Sequence, residues 1–223
     1  MAVPLKLIIF DLDGTLVDAY TAVHLSMNFT LQRLGYPAQD FMTVKNSVGW
    51  GEKHLLSCFV RSKDIDAAQV LFKKHHRQTL LKHVRLLDHA GKTLAQLKKQ
   101  GCTLAVASNR PTRFTLLILK HLAIRPLFSS VVCADQVKRP KPAGDVLTAI
   151  LRKLKHKPSE ALYVGDMPID IQAGKKAKVR TVAVTTGSGR IKDIKKENPF
   201  LLLKNLKQLS RILKAELQNK VVD

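Results

Sequence analysis

IIFDLDGTLVD, residues 8–18, joins an apolar run to two aspartates spaced two apart. The run predicts a β-strand. Its lack of polar alternation predicts that both faces are buried. Asp11 and Asp13 follow at the strand's end, where alternate residues face the same way, so both can reach one site. Gly14 then lets the chain turn. Neighbouring carboxylates repel unless a proton or a divalent cation lies between them. Magnesium takes oxygen ligands, commonly one or two carboxylates plus substrate phosphate. A carboxylate can also attack phosphorus to give an aspartyl phosphate. Read alone, an Asp-x-Asp after a strand is equally a capped turn.

Working outward, similar β-branched runs stand at 5–10, 103–107, 130–134, 161–164 and 181–185. Helical patterns follow over 92–100, 112–122, 144–155 and 169–178. Alternating strands and helices predict an α/β fold, a Rossmann-like parallel sheet with its site at the carboxyl ends of the strands. From 18 to 83 the rhythm breaks. HLSMNFTLQRLG, EKHLLSCFVRS and AAQVLFKKHHRQTLLKH carry apolar residues at three- and four-residue spacing. The expected organisation is an α/β core of residues 1–17 plus 84–223 and an inserted helical domain of residues 18–83. The hinges would lie near 17–19 and 84–88.

Three further strand ends carry chemistry. ALYVGDMPIDIQAG puts Asp166 at the end of one run and Asp170 a helical turn later. Either is also an ordinary residue for a helix start. LAVASNRP ends in Ser108 and Asn109, a hydroxyl and an amide suited to phosphate oxygens and equally to a turn. VKRPKPAGDVL sets Lys141 between Pro140 and Pro142, a point charge on stiff backbone.

The order DLDGT, SN, K-P, GDxxxD resembles the haloacid dehalogenase superfamily of phosphatases over essentially the whole chain, and the insert looks like that superfamily's helical cap. The resemblance implies Asp11 as nucleophile and Mg2+ ligand, and Asp13 as general acid/base with its carbonyl on the metal. It implies that Thr15 orients Asp13, and that Ser108 and the Asn109 amide bind phosphate. Lys141 would offset charge, and Asp166 and Asp170 would hold the metal or its waters. True dehalogenases lack the second acid, so Asp13 argues against that activity. Sugar phosphomutases typically carry an arginine in the cap loop, and NSVGWGEKHLL has none. Its G-x-G and the stretch SNRPTRFTLLILKHL are similar to bacterial phosphoglycolate phosphatases, with Arg110 standing where lysine is commoner. Pyrophosphatase, nucleotidase and phosphomutase activities share the pattern and stay open. Trp50, Lys53 and His54 are the candidates for lining the substrate entrance, with His54 read first as simply exposed. His75 and His76 are adjacent, which is not a zinc spacing.

The bulk properties are consistent with this. The 223 residues are 45% apolar and 25% charged, ordinary for a globular chain. Three scattered cysteines suit neither a disulfide framework nor a zinc site. No apolar run approaches the ~18 residues of a membrane span, so a cytoplasmic location with no membrane role is expected. The net charge of +21 is unusual and favours anionic partners, in the first place a small phosphorylated metabolite. A basic nucleic-acid-binding or interaction protein on the same fold is the alternative of a different class. Residues 175–223, at +9, form the most basic stretch and are read first as a solvated face.

Overall fold

The computed structural model describes residues 5–218. In chain order the elements are β1 (Leu7–Phe10), β2 (Val17–Asp18), α1 (Tyr20–Arg33), α2 (Phe41–Asn46), α3 (Glu52–Ser57), α4 (Ile65–His83), β3 (Arg85–Leu86), α5 (Ala90–Lys99), β4 (Thr103–Ser108), α6 (Thr112–His121), β5 (Ser130–Cys133), α7 (Asp145–Leu154), β6 (Ala161–Gly165), α8 (Pro168–Ala177), β7 (Arg180–Val184), α9 (Ile191–Lys196), β8 (Leu201–Leu203) and α10 (Leu206–Gln218). Six strands form one parallel sheet in the order β5-β4-β1-β6-β7-β8.

The absence of polar alternation in the strands has the expected cause. Ile8, Phe10, Leu104, Val106, Leu162 and Val164 enter one apolar cluster with residues of α5, α6 and α10. Their sequence neighbours Leu7, Ile9, Ala105, Ala107 and Ala161 enter another with α7 and α8. Each fully buried large apolar side chain contributes about 1.5–3 kcal/mol, so the central strands are the rigid floor of the molecule. β1 lies between β4 and β6, which gathers the carboxyl ends of three strands at one edge. β8 has no counterpart among the expected strands, because LLL (201–203) is too short to read apart from the helix that follows.

Helices α1–α4 lie between β2 and β3, which pair antiparallel and bring the two chain crossings side by side. They hold their own apolar cluster, including Tyr20, Val23, Met27, Leu31, Leu56 and Phe72. No described helix is long and apolar enough to cross a membrane. Cys102 and Cys133 are buried, Cys58 is exposed, and all three are free. In the basic C-terminal stretch Lys175 pairs with Glu197 at 3.2 Å and Arg190 with Asp193 at 2.7 Å, both exposed. Residues 219–223 of that stretch, and 1–4 of the N-terminus, lie outside the described residues.

Candidate active site

The carboxyl ends of β1, β4 and β6 open into a cavity of about 60 Å3 beneath the helical insert. Asp11, Asp13, Ser108, Asn109, Lys141 and Asp170 line it. Its walls are otherwise largely apolar, with Val23, Val48, Leu55, Phe72, Phe114 and Met167.

Carboxylate oxygens of Asp11, Asp166 and Asp170 lie within 4.8 Å of one another, all three residues buried. Burial pushes the Asp11 carboxyl up to about 7, with Lys141 pulling down and Asp170 adding to the rise. Asp166 is held well above the ordinary carboxylate range by burial and by the charges of Asp11 and Asp170. Such a cluster calls for a cation. Lys141 supplies one charge: its Nζ donates to Asp11 Oδ1 at 2.6 Å, to Asp170 Oδ1 at 2.7 Å and to the Tyr163 hydroxyl at 3.0 Å. Burial alone would lower the ammonium's pKa, but the two carboxylates overcome that and hold it above its ordinary value. One lysine against three acids leaves negative charge over. The donor set is all oxygen, which suits a hard divalent ion. The buried hydroxyls of Tyr20 and Ser188 face each other and make no other side-chain bond among the described residues. Both belong to this neighbourhood, since Tyr20 feels the charge of Asp166 and the Ser188 amide donates to Asp166 Oδ2 at 3.0 Å. These features fit a hydrated ion.

The side chains differ from expectation in several details. The Asp13 carboxylate is outside the cluster: Arg110 Nε and Nη2 each donate to it at 2.8 Å. Thr15 does not orient Asp13. The turn at Gly14 (φ +79°) ends the strand-like alternation, and the Thr15 hydroxyl donates to Asp166 Oδ1 at 3.2 Å instead. The Asn109 carboxamide is taken up by backbone groups. It accepts from Lys141 N at 2.9 Å and donates to the carbonyls of Lys141 at 2.9 Å and Gly49 at 3.1 Å. It therefore pins the lysine's backbone and ties the insert to the core. Lys141, with its three protons engaged, acts through its field more than by direct bonds to phosphate. Asp170 is similarly committed, accepting from Lys141, from the Tyr163 hydroxyl at 2.8 Å and from Met167 N at 2.9 Å. Trp50, Lys53 and His54 line an open depression beside the cavity, not the cavity itself; Gly49 and Gly51 of the same loop line the cavity.

Tyr163 and His76 were not expected in the site. Tyr163 reads as one more apolar strand residue, and its hydroxyl gives no sequence signal. His76 reads as surface or core. It is fully buried, its Nε2 is 2.9 Å from Arg110 Nη1, and its Nδ1 is 3.1 Å from Ser26 Oγ.

The family model for haloacid dehalogenase-like hydrolases matches residues 8–184. The chain belongs to that family. It is 31% identical over 219 residues to a phosphoglycolate phosphatase of Vibrio parahaemolyticus, covering 94% of this chain and 96% of that one. Against a phosphoglycolate phosphatase of Aquifex aeolicus it is 30% identical over 204 residues, covering 90% and 96%. The crystal structure of a predicted phosphoglycolate phosphatase from Haemophilus somnus superposes with a TM-score of 0.88 at 28% identity, covering 94% and 98%. This member of the haloacid dehalogenase-like hydrolases is a phosphatase, a phosphoric monoester hydrolase.

Proposed function

We propose that the chain hydrolyses a small phosphate monoester of the phosphoglycolate type, with Asp11 as nucleophile and Mg2+ as cofactor, in the cytoplasm. The observation that carries this is the buried three-carboxylate cluster bridged by Lys141 at the floor of a small cavity that also holds Asp13 and Ser108. Asp11 and Asp166 would hold the ion, with the Asp13 carbonyl and Asp170 or its waters completing the set. When bound, the ion supplies charge neutralisation at the phosphoryl oxygens. The chain's own groups do the rest. Asp11 is fixed through Oδ1 by Lys141, and its Oδ2 attacks phosphorus in line with the ester oxygen. The P–O ester bond breaks as Asp13 gives its proton to the leaving oxygen. Asp13 then takes a proton from the water that attacks the phosphorus of the aspartyl phosphate, which returns free Asp11 and inorganic phosphate. Ser108 holds a phosphoryl oxygen, and the insert, acting as a cap, excludes bulk water.

The test is phosphate release from a panel including 2-phosphoglycolate, pyrophosphate, a nucleotide and a sugar phosphate, with Mg2+ or with chelator. Good turnover of one short ester, only with Mg2+, is expected. Turnover that ignores the chelator would contradict the cofactor assignment.

Two further results follow from the site. Between the ordinary carboxylate value of 3.8 and about 7, the metal-free folded state keeps a proton on Asp11 that the unfolded chain has lost. Metal-free stability from this group therefore falls as pH rises through that window. The ion needs the deprotonated acids. The gain in Tm on adding Mg2+ should thus grow from pH 4 to pH 7, and a gain independent of pH would be inconsistent with these acids as ligands. Separately, a Cβ at Gly187 would lie 1.7 Å from Asp166 Oδ2. Gly187→Ala should raise the Mg2+ concentration for half-maximal activity by about 10-fold or more, with the circular dichroism spectrum retained.

A further inference from the structure

Arg110 sits where the phosphate end of the cavity meets its apolar wall, with its side chain 9% exposed. Its guanidinium spends Nε and Nη2 on both oxygens of Asp13. A general acid must be within hydrogen-bond reach of the leaving oxygen. With both oxygens committed to the arginine fork, Asp13 is parked.

The rest of the arginine's surroundings bears on what can release Asp13. Nη1 meets His76 on α4, whose ring is stacked on Phe72 at 4.8 Å and set edge-on to Phe114 at 5.1 Å. Burial and the Arg110 charge hold His76 well below its ordinary pKa, so it stays neutral and balances none of that charge. The remaining acid at this end, Glu52, is already paired with Arg113 at 3.2 Å and Lys73 at 3.6 Å. Lys141, the other cation in the cavity lining, is consumed by Asp11 and Asp170. Once Asp13 lets go, Arg110 is a buried cation with no direct carboxylate partner, left with only the more distant charges of Glu52 and Asp11, a costly state. Release of Asp13 is therefore favoured by a replacement anion at the fork. A guanidinium fork matches a carboxylate or a phosphate through two parallel bonds, and with the phosphoryl group held at Asp11 and Ser108 the anion left for the fork is a carboxylate.

We infer that Arg110 selects substrates bearing a carboxylate next to the ester carbon, by exchanging its bond to Asp13 for a bond to the substrate. The carboxylate binds the fork, and the displaced Asp13, no longer held as an anion by the guanidinium, takes a proton from solvent and swings to the leaving oxygen, to which it gives that proton. Specificity and activation are then one event. A phosphoester without the anion leaves Asp13 parked. His76, itself held by Ser26, meets the guanidinium from the insert, so the insert and the core both touch the fork.

This inference rests on the phosphatase reading above, and the experiment separates the two. Steady-state kinetics would compare 2-phosphoglycolate with its uncharged amide isostere, carbamoylmethyl phosphate, in the wild type, Arg110→Met and Arg110→Lys. The wild type should prefer the carboxylate by about 100-fold or more in kcat/KM, as a site built for a charged partner rejects the analogue lacking it. The preference should show in kcat as well as KM, because the carboxylate both binds and frees Asp13. In Arg110→Met the ratio should collapse to within about threefold of one, whatever the absolute rates. In Arg110→Lys, which keeps the charge and loses the fork, it should fall about tenfold. A wild-type ratio near one would overturn the inference while leaving the phosphatase intact. So would a ratio that survives either substitution, since a merely structural arginine would slow both esters alike. Release of phosphate from neither ester would instead remove the phosphatase reading, and this inference with it.

Discussion

Asp11→Asn should lower kcat for phosphate release by about 10^4-fold or more. The carboxamide keeps the side chain's shape at the end of β1, so the cavity stays formed. What disappears is the anionic oxygen that attacks phosphorus. Stability should move the other way at neutral pH. Asp11 is an acid held up at about 7 by burial, and beside it stand Asp166 and Asp170. Removing it relieves repulsion in a desolvated cluster, and Lys141 keeps Asp170 as its partner. The metal-free variant at pH 8 is therefore expected to melt at or above the wild-type temperature. Loss of activity with an undiminished Tm distinguishes chemistry from misfolding. A variant that melts well below the wild type would mean that Asp11 is chiefly structural.

Lys141→Met should cost about 3–5 kcal/mol of stability, the range for removing one member of a buried ion pair. The lysine side chain is 2% exposed and bridges Asp11 to Asp170, with Tyr163 as a third partner. Without it, three buried carboxylates face one another with no protein cation between them. The folded pKa values of Asp11 and Asp166, already above the ordinary carboxylate value, would rise further. Stability then falls as pH rises, so the deficit should be largest at alkaline pH and shrink in acid as the acids protonate. Added Mg2+ should recover part of it. Activity should fall by about 10^2–10^3-fold, the scale for losing a preorganised charge at the reacting centre. Urea melts at pH 5 and pH 8 would check the sign. A deficit independent of pH would mean that packing, not charge, is what Lys141 provides. Adding Asp170→Asn to the variant should cost less than the separate losses summed, because the groups act as one network.

Much of this arrangement is legible in the sequence because it rests on local rules. Five strands of the sheet are readable as apolar runs, since a parallel sheet buried on both faces needs no polar alternation. The candidate acids are readable because each stands at the end of such a run or one helical turn beyond. What escaped reading depends on who meets whom across the fold. Arg110 follows Ser108 and Asn109 in plain view, but nothing in SNRP says that its guanidinium reaches Asp13, 97 positions away. His76 reaches the site only because α4 crosses above α6, a tertiary fact. Thr15 misled because a strand's alternation does not survive a turn at positive φ. The Asn109 carboxamide serves the backbone of Lys141, a pairing across 32 positions that the turn sequence does not announce.

The central claim is that phosphate leaves through a covalent bond to Asp11, and trapping that bond tests it most directly. An Asp13→Asn variant, lacking the base that activates water, would be mixed with Mg2+ and 2-phosphoglycolate, quenched in acid and mapped by peptide mass spectrometry. The expected result is a phosphoryl group on the peptide containing Asp11, absent when Asp11→Asn is combined with Asp13→Asn. Phosphate release by the wild type with no phosphoryl on Asp11, or with the phosphoryl on another residue, would contradict it.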